Sequence, residues 1–182
     1  MTIPFALLKG LPGTGPRPVS CPPEWGRLGR EGTVVSFRKR DGSMWIGNFG
    51  RGLGTETAVL PHPDGKRALV IANGAIYEVD PDHAEPLSES DCCVTAIWPV
   101  ESMNALLFAR SHIALMLWGA RGREWDTGRL SWDGFRNVRI EGSWIEGEAW
   151  SAPDDSWPRF QVNLKTGEYT GGAIGLPDYG KP

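Results

Sequence analysis

Turn chemistry interrupts this sequence so often that no long helix fits between the interruptions. Asp41-Gly42, Asp64-Gly65, Asn73-Gly74, Asp133-Gly134 and Lys165-Thr166-Gly167 each stand beside short apolar runs, the arrangement that hairpins require. Glycine and proline together supply 39 of the 182 residues. That share suits short strands and suits a helical bundle poorly. The runs between turns read as strands: 33–37, 44–49, 57–60, 67–72, 75–79, 93–98 and 160–164. Residues 129–135 also read as strand, with Asp133-Gly134 at their end. Hydrophobic content of 40% with 23% charged residues gives enough apolar surface for a core and excludes wholesale disorder.

Two regions leave the local reading open. Residues 10–26, GLPGTGPRPVSCPPEWG, are crowded with proline and glycine and are expected to form an extended arm, either a flexible tail or a strap anchored by Trp25. Residues 102–118 carry a Ser cap, good helix formers and Gly119 just beyond, so a helix competes there with a hairpin turning at Ser111-His112. The strand character of everything around them favours the hairpin. The expected organisation is an arm over 1–26, one β-rich domain over 27–175 and an irregular tail over 176–182.

Residues 61–82, PHPDGKRALVIANGAIYEVDPD, resemble a blade segment of the β-propeller class, and FQVNLKTGEYTGG (160–172) resembles a blade ending. The resemblance implies an all-β, small antiparallel propeller-like domain of about four blades, divided near residues 57, 92 and 131. A twisted antiparallel sheet or an open barrel is the alternative, with one helix at 102–118 if that segment is not a hairpin. The stretch EWDTGRLSWDGFRNVRIEGSWIEGEAW is also similar to bacterial β-rich proteins with no established activity, and implies no site residues.

Net charge of −3 argues against a general nucleic-acid binder, which gains affinity from excess Lys and Arg. The mean hides an asymmetry: residues 1–60 carry net +4 and residues 61–182 net −7. The basic part includes Arg38, Lys39 and Arg40 with Arg27, Arg30 and Arg51 around them, read as a solvated strand end and turn in preference to an anion site. No run approaches the ~18–20 apolar residues that span a bilayer, and the first ten residues lack the pattern of a secretory signal. Three cysteines, Cys21, Cys92 and Cys93, make a poor disulfide framework and fit a reducing cytoplasm.

Catalytic signatures are wanting. His62, His83 and His112 form no HxH or HExxH pattern, so neither metal nor other cofactor is expected. Asp80, Asp82, Glu85, Glu89 and Asp91 lack the EF-hand order and read as a solvated acidic loop. Cys92 and Cys93 sit among apolar neighbours as small hydrophobes, and no GxSxG elbow or phosphate loop is present. Period-two alternation places Trp144, Glu146, Glu148 and Trp150 on one strand face, opposite Ile145, Gly147 and Ala149. With Trp125 and Trp132 nearby, and Trp118 and Trp157 close in sequence, this half offers more indole than a core needs.

The expected function is a non-catalytic, cytoplasmic protein-interaction module with an acidic, Trp-rich face, in its specific form an immunity-type inhibitor of a toxin or effector. A protein partner with a basic surface is expected, and neither nucleic acid nor membrane. The competing readings are a carbohydrate-binding module or weak glycan-active enzyme using Trp144, Trp150 and the two glutamates, and a structural subunit that self-assembles by its sheet edges.

Overall fold

The computed structural model describes residues 5–84, 86–89 and 93–174. The fold is all-β: four four-stranded sheets follow one another along the chain. The first contains β1 (Phe5–Leu7), β2 (Val19–Cys21), β3 (Thr33–Arg38) and β4 (Met44–Phe49), in the order β1-β3-β4-β2. The second contains β5 (Ala58–Pro61), β6 (Ala68–Ala72), β7 (Ala75–Val79) and β8 (Pro86–Glu89) in chain order. The third contains β9 (Val94–Val100), β10 (Ala105–Arg110), β11 (Ala114–Gly119) and β12 (Gly122–Asp126), and the fourth β13 (Phe135–Glu141), β14 (Trp144–Ala149), β15 (Arg159–Asn163) and β16 (Tyr169–Gly171). The expected divisions near 57, 92 and 131 fall in the gaps between these sheets.

The chain separates into two compact units, Met1–Ala96 and Ile97–Pro182, where the sequence suggested one domain over 27–175. In the first unit, Val35, Phe37, Trp45 and Phe49 of one sheet share a core with Val70, Ala72, Tyr77 and Val79 of the other. Phe37 stacks on Trp45 at 4.3 Å, and Phe49 meets Tyr77 at 5.2 Å. The polar ends of these rings are satisfied: Tyr77 Oη donates to the Gly50 carbonyl (2.9 Å) and Trp45 Nε1 to the Pro81 carbonyl (2.8 Å). Strands β6 and β7 are buried on both faces, which is why their sequence runs apolar without alternation.

Asn73-Gly74 closes the β6–β7 hairpin as a two-residue turn with φ of 50° and 90°, the signs that a type I′ turn demands. This turn is also packed against backbone. Gly74 N donates to the Glu56 carbonyl, Val94 N to the Gly74 carbonyl and Gly54 N to the Asn73 carbonyl. A Cβ on Gly74 would lie 2.5 Å from Gly54 Cα, and one on Gly54 would lie 2.0 Å from Val94 O. Gly54 and Gly74 therefore serve close backbone contact.

The arm over 10–26 docks. Its β2 pairs in parallel with β4 as an edge strand, and a five-residue helix, α1 (Pro23–Arg27), follows directly. A helix here departs from the expectation drawn from proline content. The physical reason is position: Pro23 occupies the first helical turn, where its missing N–H costs nothing. Residues 102–118 form the hairpin, with β10 and β11 turning through Ser111 and His112 at φ of 51° and 59°. Only a short 3₁₀ turn, Glu101–Met103, precedes them. Residues 129–134 are irregular, and the strand expected there starts at Phe135. No helix among the described residues is long and apolar enough to cross a membrane.

Gly74→Ala is expected to cost roughly 1–3 kcal/mol, because it combines an unfavourable φ with a backbone collision. Gly13→Ala, with nothing within 4 Å of the added carbon, should stay within about 0.5 kcal/mol of the wild type. Chemical denaturation of the two variants checks both.

Candidate functional site

The fourth sheet carries Trp144, Glu146 and Glu148 on β14, while Trp150 follows that strand, Trp132 precedes β13 and Trp125 lies on β12 of the third sheet. In β14 the alternation holds: Ile145 and Ala149 are buried, while Glu146 and Glu148 face outward and are half-buried. Cross-strand register decides their neighbours. Glu146 lies between Arg139 of β13 and Gln161 of β15, and Glu148 between Arg136 and Arg159. A bulge in β13 between Arg136 and Arg139 inserts one extra residue, and Asn137 takes φ of 54° there. Its amide consequently reaches back to Glu148.

The contacts on this face oppose the idea of a free acidic surface. Arg136 Nε donates to Glu148 Oε2 at 2.6 Å and Asn137 Nδ2 to the same oxygen at 3.0 Å. The Arg136 side-chain bond, followed by that of Asn137, holds the Glu148 carboxyl below its ordinary range. Gln161 Nε2 donates to Glu146 Oε1 at 2.7 Å. A hollow of about 600 Å³ opens here, lined by Asn137, Arg139, Glu146, Glu148, Arg159 and Gln161 among others. The face expected to be acidic is thus a checkerboard of both signs, because β13 and β15 bring three arginines to the rows of the two glutamates.

The tryptophans are dispersed. Neither Trp144 nor Trp150 lines the hollow, whose one aromatic lining residue among those described is the buried Phe160. Trp144 is 41% exposed at the start of β14, and Trp150 is half-buried. Trp132 is 38% exposed, with the Arg129 guanidinium 4.7 Å above its ring. Trp157 receives Arg136 in the same manner at 4.4 Å. Trp125 is committed to packing: its Nε1 donates to the Leu164 carbonyl (3.0 Å), and a Cβ on Gly167 would meet its ring at 2.8 Å. Trp118 is buried against Phe108.

A second constellation escaped the sequence reading. His62 is buried, and its Nδ1 accepts from Asp64 N at 3.1 Å while its Nε2 lies 3.6 Å from Glu78. Arg67 joins the two carboxylates, through Nε to Asp64 Oδ2 at 2.6 Å and through Nη1 to Glu78 Oε2. Burial, followed by the nearby Arg67 charge, pushes His62 below its ordinary value despite Asp64 and Glu78. For Asp64, burial works to raise the carboxyl, but bonds from the Arg67 and Lys66 backbone and the Arg67 side chain hold it well below the carboxylate range. Alternating spacing gave no signal for this cluster, since it is assembled by a turn. It ties the turn at 61–67 to β7.

The other candidates are scattered. His83 is exposed and bonded to Asp80 at 2.9 Å, and His112 sits on the exposed β10–β11 turn. Glu85, Asp91 and Cys92 lie outside the described residues, as do the side chains of residues 86–89. Cys21 and Cys93 form no disulfide. Among the described residues, no group of three or more His, Cys, Asp or Glu is arranged to hold a metal ion.

The depressed His62 value has a testable sign. The unfolded chain takes up this proton first, near pH 6.5, so the contribution of His62 to stability is whole above that value and declines as pH falls towards the folded value. Below about pH 6.5 stability should fall with pH at a slope not exceeding ~1.4 kcal/mol per pH unit from this group, and His62→Gln should flatten it in denaturation curves. No protein-family model and no curated protein matches the chain.

Proposed function

We propose that the chain is a non-catalytic protein-binding module that engages its partner through the outer face of the β13–β16 sheet. The observation that carries this reading is the exposure of Trp144 and Trp132, at 41% and 38%, the latter with Arg129 over its ring, whereas Trp118 is buried and Trp125 is committed to packing. Exposed indoles beside fixed, alternating charges are the composition of an interface core and its rim. The row of Arg136, Glu148 and Arg159, in which Arg136 is ion-paired to Glu148, would add specificity and register in preference to raw affinity. An inhibitor that neutralises a toxin or effector is the specific form, since net −7 over residues 61–182 would accelerate association with a basic partner. The scaffold we propose is propeller-like, supported by four successive four-stranded sheets and the blade-like phrases at 61–82 and 160–172. The cytoplasm remains the compartment proposed.

Glycan binding is the second reading, favoured by the hollow that holds Glu146, Glu148 and Gln161 side by side. It lacks a stacking platform, because the nearest strand tryptophans do not line that hollow.

Affinity capture of the tagged protein from its host's lysate, at low and high salt, separates these readings. The interaction reading expects one stoichiometric protein that leaves at high salt. Trp132→Ala with Trp144→Ala should weaken that complex by about 2 kcal/mol or more, roughly 30-fold. A partner retained equally by the double variant overturns the face assignment. Empty capture with a tryptophan fluorescence shift on oligosaccharide addition would establish the glycan reading instead, and concentration-dependent light scattering would establish self-assembly.

A further inference from the structure

The docked arm creates a hollow in the first unit that differs in kind from the one on the fourth sheet. It measures about 460 Å³ and is lined by Arg17, Arg27, Arg30, Ser20, Gly26 and Asn48 among others, with no carboxylate in its lining. The size lies within the range of small-molecule sites. The three arginines come from three places: the irregular arm, the end of α1 and the turn that follows it. All three are exposed, and no carboxylate lies within ion-pair distance of any of them among the described residues. The nearest acids in sequence are turned to other uses or lie outside the lining: Glu31 accepts from Leu11 N at 3.0 Å, and Glu24 lies on α1.

The floor is preorganised. Asn48 is buried, with Oδ1 accepting from Gly32 N at 2.7 Å and Nδ2 donating to the Arg30 carbonyl at 2.9 Å and to Ser20 Oγ at 3.0 Å. Asn48 is fully engaged in holding the arm. Ser20 Oγ accepts that bond, which leaves its own proton to donate. Arg30 is steadied by the Trp25 ring, 6.0 Å from its guanidinium carbon. Gly26 is required beside Ser20, since a Cβ there would lie 2.9 Å from Ser20 Oγ.

We propose that this hollow binds a small phosphate-bearing molecule, with the guanidinium groups of Arg17, Arg27 and Arg30 converging on the phosphate oxygens and Ser20 Oγ donating from the floor. A tetrahedral phosphate presents oxygens in several directions and can engage more than one planar fork at once, whereas a single carboxylate is filled by one or two. The site shares no residue with the face assigned to protein binding, and neither proposal rests on the other.

Amide NMR titration of the full chain with inorganic pyrophosphate at low salt tests this assignment. Saturable shifts are expected in residues 17–30 and at Asn48, weakening as salt is added. Arg27→Gln with Arg30→Gln should reduce affinity roughly tenfold or more while leaving the remaining spectrum folded. Arg139→Gln with Arg159→Gln, on the fourth sheet, should leave the titration unchanged. Absence of saturation, shifts that follow Arg139 and Arg159 instead, or an undiminished response in the Arg27/Arg30 variant would each overturn the site. Citrate is the control for bare charge: weaker binding supports phosphate recognition, and equal binding overturns it.

Discussion

The close backbone contact among Gly54, Gly74 and Val94 is the constraint on which the first unit rests. Three segments distant in sequence meet there with no side chain between them: the loop before β5, the β6–β7 turn and the start of β9. Their amides and carbonyls satisfy one another, so the turn is buried without a desolvation penalty. Asn73 completes the junction by donating from Nδ2 to the Gly54 carbonyl at 2.7 Å. Fixing the β6–β7 hairpin in this way presents Val70, Ala72, Tyr77 and Val79 to the aromatic residues of β3 and β4. Strand β4, whose Trp45 and Phe49 enter this core, also carries Asn48, whose amide secures the arm and lines the arginine-lined hollow.

The second unit puts a comparable economy on its surface. Its fourth sheet buries Ile145, Ala149, Phe160 and Val162 on one face and spends the other on charge. Gly147 lets the Phe160 ring lie over the strand, since a Cβ there would come within 2.7 Å of that ring. With Phe160 filling that space, Glu146 and Glu148 stand on a rigid strand and their partners are set by register. Trp132 and Trp144, with Met103, are the large apolar side chains that this unit leaves exposed among the described residues.

How much of this was legible depended on the range of the interaction that decides it. Asn73-Gly74 announced its hairpin because a two-residue turn with positive φ is specified locally. The alternation in 160–164 and 144–150 was equally plain, since one face of each strand is buried and the other is wet. The hairpin at 105–119 was ambiguous because β10 and β11 are largely buried on both faces, which erases the period that separates strand from helix. Pro23 misled because proline disfavours helix everywhere except where a helix begins. The pairing of Arg136, Arg139 and Arg159 with the glutamates was invisible for another reason: it depends on the β13 bulge and on loop lengths, neither of which local pattern encodes. His62, Asp64, Arg67 and Glu78, like the three arginines around the arm, are gathered by tertiary folding.

The central claim is that the outer face of the β13–β16 sheet is a binding surface. Hydrogen–deuterium exchange of the protein alone and with its captured partner tests it most directly. The account predicts slowed exchange concentrated in residues 132–148, around the two exposed indoles and the β13 bulge. Protection confined to the first unit, or none at all in a stoichiometric complex, would contradict it.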